Sequence, residues 1–334
     1  MKREELIETF ALFGKILENF KNSNENISFL NEVKANNPWF TKENILLAFE
    51  NWSSELTQEK LSFFVQNARF LEKPKTLALI LAGNIPMVGF HDILCGLLCG
   101  YHLQIKLSGK DKLLSSWVLQ SLVEIRPNLK ERISVVEKLE NFDTAIATGS
   151  NNTAKYFSSY FKNIPHIIRQ NRTSIAVLTG QETKEELSLL SNDVFDYFGL
   201  GCRNVSKVFI PEDFDLNRLF EAFFPHNDII NHHKYANNFD YYRAIYLLNQ
   251  DNFMENGFLL LKEDSGLHTP VSVLFYSRYQ VLNQVENFID SHQDELQCIV
   301  SNLGLKNTDF GKSQKPKLDD FADGVNTLAF LSSI

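Results

Sequence analysis

From Thr76 onward the chain alternates short apolar runs with amphipathic stretches, and this alternation restricts the fold more than any other feature. Leu77–Ala82 is an unbroken apolar run, as expected of a strand buried on both faces. Gly83-Asn84-Ile85-Pro86 reads as a turn, Val88–Cys99 as a helix and Leu103–Leu107 as the next strand. Asp111 is placed to cap a helix running through Leu114, Val118 and Leu122. Ile133–Val136 and Thr144–Ala147 are strand-like, and Gly149-Ser150-Asn151-Asn152 opens another helix. A second series starts near Ser174: strand Ile175–Leu178, helix Glu185–Phe198, strand Ser206–Ile210, then strands Phe258–Leu261 and Val271–Phe275 around a loop. Such alternation predicts a parallel sheet with helices on its faces, and ligands at the carboxyl ends of its strands. Residues 1–73 read instead as helices. Leu6, Phe10, Phe13, Ile16 and Leu17 make one stripe, Asn22–Asn26 a polar break, and Ile45, Leu46, Phe49 and Trp52 a second stripe.

The 334 residues suffice for two domains, and a net charge of -8 draws no nucleic acid. The acidic pair Glu4-Glu5 and the amphipathic pattern after it argue against a secretion signal. The most apolar stretch, Leu77–Tyr101, contains Asn84, Pro86, His91 and Asp92, so a buried strand-turn-helix fits it better than a membrane span. Cys95, Cys99, Cys202 and Cys298 are too few for a disulfide framework, which points to a reducing, cytoplasmic setting. Cys95 and Cys99 read as helix-packing residues, because no second pair at zinc spacing accompanies them; no metal site is expected. His232-His233 reads as a solvated pair rather than a ligand set, since neighbours on a helix point apart.

Cys202 differs from the other cysteines. It lies in Phe198-Gly199-Leu200-Gly201-Cys202-Arg203-Asn204, where two glycines remove bulk and Arg203 can favour the thiolate. A nucleophilic thiolate needs access and a charge that favours ionisation, and this context offers both. On the other strand series, Gly83-Asn84, Lys106–Ser108 and Gly149-Ser150 all follow strands. No G-x-G-x-x-G follows the first strand, so the usual dinucleotide fingerprint is absent.

Gly83–Asp92, Ile105–Ser108, Ala147–Thr153, Ile168–Arg172 and Phe198–Lys207 together resemble the bacterial acyl-CoA reductases. These include the fatty-acid reductase subunit of bacterial bioluminescence and belong to the aldehyde dehydrogenase superfamily. The resemblance covers roughly residues 75–330. It implies an α/β, aldehyde-dehydrogenase-like fold: a Rossmann-like cofactor domain over 74–173 and 306–334, an α/β catalytic domain over 174–305, and an N-terminal helical segment, 1–73, packed on the cofactor domain. It implies Cys202 as nucleophile and Asn84, with the Cys202 N–H, as the oxyanion hole. Lys106 and Ser108 match the cofactor ribose contacts, Gly149 and Ser150 the turn under the pyrophosphate and nicotinamide, and Glu263 the carboxylate on the nicotinamide ribose.

The implied reaction is NADPH-dependent reduction of a fatty acyl thioester, on coenzyme A or acyl carrier protein, to the aldehyde. Alternatives are oxidative or CoA-acylating aldehyde dehydrogenation, and an acyl-transfer subunit of a multi-component complex. A homo-oligomer or an acyl-activating partner enzyme would accompany such a chain. Hydrolytic relatives carry a Glu-Leu-Gly-Gly segment whose glutamate activates water. Here Arg169-Gln-Asn-Arg-Thr-Ser174 holds no carboxylate, so reduction or thiol exchange is the better reading. Ser108-Gly109-Lys110 also has no acid until Asp111, and Lys106, Ser108 and Lys110 could meet a 2′-phosphate, so NADPH is favoured over NADH. His91, beside Asp92, is read as either an acid-base helper or a hydrogen-bonded structural pair. Arg169 and Arg172 are candidates for carrier phosphates. The block of Tyr235, Asn237, Asn238, Asp240, Tyr241 and Tyr242 could line an acyl channel or pack internally.

Overall fold

The computed structural model describes residues 1–20, 24–304 and 307–334. Asn22 and Ser23 of the expected polar break, and the expected domain boundary at 305/306, lie outside the described residues. Contacts divide the chain into two compact units, Met1–Asn171 with Pro316–Ile334, and Arg172–Lys315.

The first unit begins with α1 (Arg3–Glu18), α2 (Asn24–Asn36), α3 (Lys42–Glu55) and α4 (Gln58–Phe64). It continues through β1 (Thr76–Ile80), α5 (Phe90–Leu98), β2 (His102–Lys106), α6 (Lys112–Ile125), β3 (Ile133–Val135), β4 (Thr144–Thr148), α7 (Asn151–Tyr160) and β5 (His166–Arg169). Helices α3 and α4 start where a threonine can accept a free amide: Thr41 accepts from Asn44 N at 3.3 Å and Thr57 from Lys60 N at 3.2 Å. Leu6, Phe10, Phe13 and Leu17 form the buried face of α1 and Ile45 and Phe49 that of α3, with Leu46 and Trp52 packed beside them; Ile16, expected in the first stripe, is exposed. Trp117 of α6 stacks on Phe49 at 5.4 Å and meets the edge of Phe20 at 5.2 Å. The strands form one parallel sheet, ordered β3-β2-β1-β4-β5. Helix α5 is apolar nearly all round because it is buried nearly all round. A Cβ on Gly96 would come within 2.7 Å of Leu77 and 2.8 Å of Leu103, so glycine lets α5 lie directly on β1 and β2. Cys95 and Cys99 are packing residues on this helix end. Among the described residues no helix is long and apolar enough to cross a membrane.

The second unit contains β6 (Thr173–Val177), α8 (Lys184–Phe195), β7 (Val205–Pro211), α9 (Asn217–Phe223), α10 (His233–Asn249), β8 (Phe253–Glu255), β9 (Leu260–Glu263), β10 (Val273–Tyr279), α11 (Leu282–Ser291) and β11 (Leu296–Val300). Its sheet is ordered β11-β6-β7-β10-β9-β8, and β8 runs antiparallel to β9 while the other pairs are parallel. The tyrosine block lies on α10. Tyr235 is buried with its hydroxyl on the Phe258 carbonyl at 3.0 Å, whereas Tyr241 is 59% exposed. His232 is not helical, contrary to the sequence reading. It is the N-cap of α10, its ring 4.4 Å from Phe198 and 5.2 Å from His233.

The tail returns to the first unit, where Leu318, Leu328 and Leu331 join the core and α12 (Thr327–Ser333) packs. Tyr101 donates to the Leu331 carbonyl at 2.9 Å. Arg169 donates to Asp92 at 2.6 Å, to the Ala322 carbonyl at 2.8 Å and to Thr327 Oγ1 at 2.9 Å. Its side chain is 6% exposed. A buried guanidinium needs every donor matched, and this one is matched inside the unit. The expectation that Arg169 meets a carrier phosphate is therefore corrected: it locks the tail. Arg172 also donates to backbone, to the Leu296 carbonyl at 2.8 Å.

Candidate active site

In the first unit, parallel pairing fixes which loops share an edge. Ile80 of β1 lies opposite Lys106 of β2 and opposite Ala147 of β4. The segments after these strands, Gly83-Asn84, Lys106–Lys110 and Gly149-Ser150, therefore leave the same carboxyl edge of three adjacent strands. Gly83 is buried against the neighbouring loop: a Cβ there would sit 2.6 Å from Ser108 Oγ and 3.0 Å from Asp111 Cβ. Ser108 Oγ accepts from Lys110 N at 3.3 Å, which turns the loop and leaves Lys106 and Lys110 exposed. Asn37 donates to the Lys110 carbonyl at 3.1 Å, tying the loop to the N-terminal helices. Asp111 is the N-cap of α6 and accepts from Ser115 N at 3.3 Å and Ser115 Oγ at 3.0 Å. It is buried, and burial pushes its carboxyl up to about 7.

Ser150 caps α7 by accepting from Thr153 N at 3.3 Å, and Gly149 N donates to the Arg169 carbonyl. The exposed lysines, the Ser108 hydroxyl and the start of a ten-residue helix form a donor set suited to phosphates and sugar hydroxyls. Gly83 and Gly149 let these loops pack closely on their own unit, and the donors they leave are those a nucleotide needs.

His91 lies on α5. Its Nε2 is 2.8 Å from the Leu318 carbonyl, which can only accept, so this nitrogen carries the proton. Nδ1 is 3.7 Å from Cys95 Sγ, and the ring packs with Trp52, Phe64 and Phe321. The neighbouring Asp92, expected to pair with it, is held by Arg169.

In the second unit the sequence builds a constrained turn before Cys202. Helix α8 starts with a reciprocal Thr183–Glu186 capping box and ends at Phe195, three residues earlier than the sequence suggests. Tyr197, Phe198 and Gly199 then take φ of 54°, 59° and 75°. Only glycine is at ease there; an aromatic residue in this region costs about 1–3 kcal/mol and persists only when its surroundings hold it. Asn204 supplies much of that hold. Its buried amide donates to the carbonyls of Asp193 at 3.1 Å and Asp196 at 2.8 Å, while its oxygen accepts from Gly201 N at 2.8 Å. Asp193 in turn accepts from Gly311 N at 2.6 Å and Ser313 N at 2.9 Å. Burial pushes the Asp196 carboxyl up to about 7.

Ser174 Oγ donates to the Cys202 carbonyl at 3.0 Å and accepts from Cys298 N at 3.1 Å. Cys202 is half-buried, while Cys95, Cys99 and Cys298 are buried. Burial pushes the Cys99 thiol up to about 11 and the Cys95 thiol up as well. Arg203, expected to serve Cys202, donates to Cys298 Sγ at 3.2 Å.

Glu263 ends β9 and is exposed. Beside it, Lys262 bonds Asp264 at 2.9 Å, which raises the lysine and lowers the carboxyl. Among the described residues no group of His, Cys, Asp and Glu could hold a metal ion. Sequence reasoning missed Asn204, Ser174 and Lys207 as functional candidates. Lys207 alone left a trace, as a lone cation inside the apolar strand Val205–Pro211.

The model of the acyl-CoA reductase (LuxC) family matches residues 15–221. No curated protein sequence matches the chain. Aldehyde dehydrogenase 21 of Physcomitrella patens, solved with its product succinate, superposes with a TM-score of 0.67 at 10% identity, over 96% of this chain and 81% of that one. Indole-3-acetaldehyde dehydrogenase AldA of P. syringae, solved with NAD+ and IAA, gives 0.65 at 12% identity over 92% and 73%. A Mycobacterium tuberculosis aldehyde dehydrogenase complexed with NAD+ gives 0.64 at 12% identity over 94% and 75%. At such identities these likenesses establish the fold, that of the aldehyde dehydrogenases.

Proposed function

Because the chain belongs to the LuxC acyl-CoA reductase family, we propose that it reduces a fatty acyl thioester to the aldehyde through an acyl-enzyme on Cys202. The observation that carries this reading is the contrast among the cysteines: Cys202 is partly exposed on a turn held by buried side chains, and the other three are buried. The Cys202 sulfur attacks the thioester carbonyl. Asn84 and the Cys202 N–H donate to the oxyanion, and each such donor matters by about 3 kcal/mol. The carrier thiol then leaves, taking a proton, with little need of an acid.

A nicotinamide nucleotide, when bound, supplies the hydride that takes the acyl group to the aldehyde level. Lys106, Ser108, Lys110, Gly149 and Ser150 would hold it, with Glu263 on the nicotinamide ribose. Asp111, the one acid of the loop, is buried as a helix cap, and the exposed cations favour a 2′-phosphate, hence NADPH over NADH. Acyl-CoA or an acyl carrier protein delivers the substrate, in a cytoplasmic setting.

The test is a panel of thioesters from acetyl-CoA to palmitoyl-CoA. Without nucleotide, a burst of about one free thiol per chain is expected, then near silence, because no carboxylate in 169–174 activates water. Intact mass should show one acyl group, lost on adding NADPH and never formed in Cys202→Ser. Steady hydrolysis as fast as reduction, or a full burst in Cys202→Ser, sinks the reading.

A further inference from the structure

Lys207 is a fully buried lysine, 0% exposed, in the middle of the second unit's sheet. It stands five residues after Cys202 on β7. An ammonium removed from water is costly unless each donor finds an acceptor. Here Nζ donates to the Asp264 carbonyl and, at 3.2 Å, to the Gly266 carbonyl. It also lies 5.4 Å from the ring of Phe209 and 5.6 Å from that of Phe288. Burial pushes its ammonium down to about 8.

The sheet explains the reach. Strand β10 lies between β7 and β9, with Phe275 opposite Lys207 and Tyr276 opposite Glu263. The lysine therefore extends across β10 to the loop that follows Glu263. The adjacent Ser206 Oγ donates to the Leu267 carbonyl at 2.6 Å. Two consecutive residues of the strand that leaves the Cys202 turn thus grip three carbonyls of the loop behind Glu263.

We propose that Lys207 is a positioning residue: by holding the carbonyls of Asp264 and Gly266 it fixes the Glu263 carboxylate relative to Cys202. The proposal rests on the reading of Glu263 as a nucleotide contact. It assigns Lys207 no contact with substrate.

Lys207→Met keeps the length and apolar stem but removes the donors. Amide exchange across residues 262–270 should accelerate by about tenfold or more. The Michaelis constant for NADPH should rise by about tenfold, while the thiol burst from acyl-CoA stays near one per chain. Lys207→Arg, which keeps a buried cation, should recover most of the nucleotide affinity. Glu263→Gln should raise the same constant without changing exchange. Unchanged exchange in Lys207→Met overturns the proposal, as does an unchanged NADPH constant where Glu263→Gln shifts it. If Glu263→Gln is silent, the nucleotide role of Glu263 fails, and exchange still decides whether Lys207 holds the loop. Should Lys207→Met fail to fold, Lys207→Gln, with one remaining donor side, carries the same measurements.

Discussion

The two units hold their candidate residues in opposite ways. In the first, the loops after β1 and β2 meet at Gly83 and the short Ser108 turn, and Lys106 and Lys110 stay in water. In the second, the Cys202 turn is tied by buried side chains to α8, to β6 and to the 311–313 segment. Exposed side chains can adapt to a nucleotide at small cost. A reacting sulfur must be held, because a misplacement of about 1 Å can cost 10²-fold in rate. Under the proposed function, the first unit offers a surface that binds and the second a scaffold that positions.

Asn84→Ala tests that division most severely, because Asn84 belongs to the binding unit yet is proposed to act in the chemistry. Turnover should fall by about 10²-fold with little change in the Michaelis constant of the thioester, as for a donor used mainly in the transition state. Steady-state kinetics decide it. A change confined to the Michaelis constant would return Asn84 to binding and make the division complete.

Asn204→Ala sharpens the comparison from the other side. It leaves the carbonyls of Asp193 and Asp196 without that donor and loosens the left-handed turn. The acylation rate, read as the thiol burst, should fall by about tenfold, and stability by about 1–3 kcal/mol. NADPH binding should be unaffected. Acylation at the wild-type rate would mean that the strained turn holds itself.

Asp111→Asn has the smallest effect on activity. The Asp111 carboxyl is raised to about 7 by burial, so the folded state holds its proton more tightly than the unfolded chain does. That stabilisation is full below about pH 4 and is lost as pH rises through about 7. Asparagine also caps helices, so the variant should match the wild type near pH 4 and exceed it at pH 8, by on the order of 2–4 kcal/mol. Urea unfolding at the two pH values measures this. A variant equally or less stable at pH 8 would show that Asp111 stays ionised at no cost.

The two sheets were readable from sequence for a physical reason. Leu77–Ala82 is apolar because β1 is buried on both faces, and Cys202 stands out in the sequence because Gly199 and Gly201 precede it. The helix end was misplaced by three residues because Tyr197 and Phe198 give no sign of positive φ; glycine or asparagine would have. Asn204 was invisible as a functional candidate and Lys207 showed only as a lone cation in an apolar strand, because their partners are mostly backbone carbonyls, those of Lys207 about sixty residues along the chain. Arg169 and Arg203 looked like free cations until the fold supplied Asp92 for one and Cys298 for the other.

The second unit is one uninterrupted stretch, whereas the first is closed by residues that follow it, with Leu328 and Leu331 in its core. On the ribosome, residues 172–315 emerge before those closing side chains do. The unit carrying Cys202 can therefore finish folding while the first still lacks part of its interior. A chain ended before Pro316 and released from the ribosome should protect the 172–315 stretch from protease and leave the amino-terminal helices open to it.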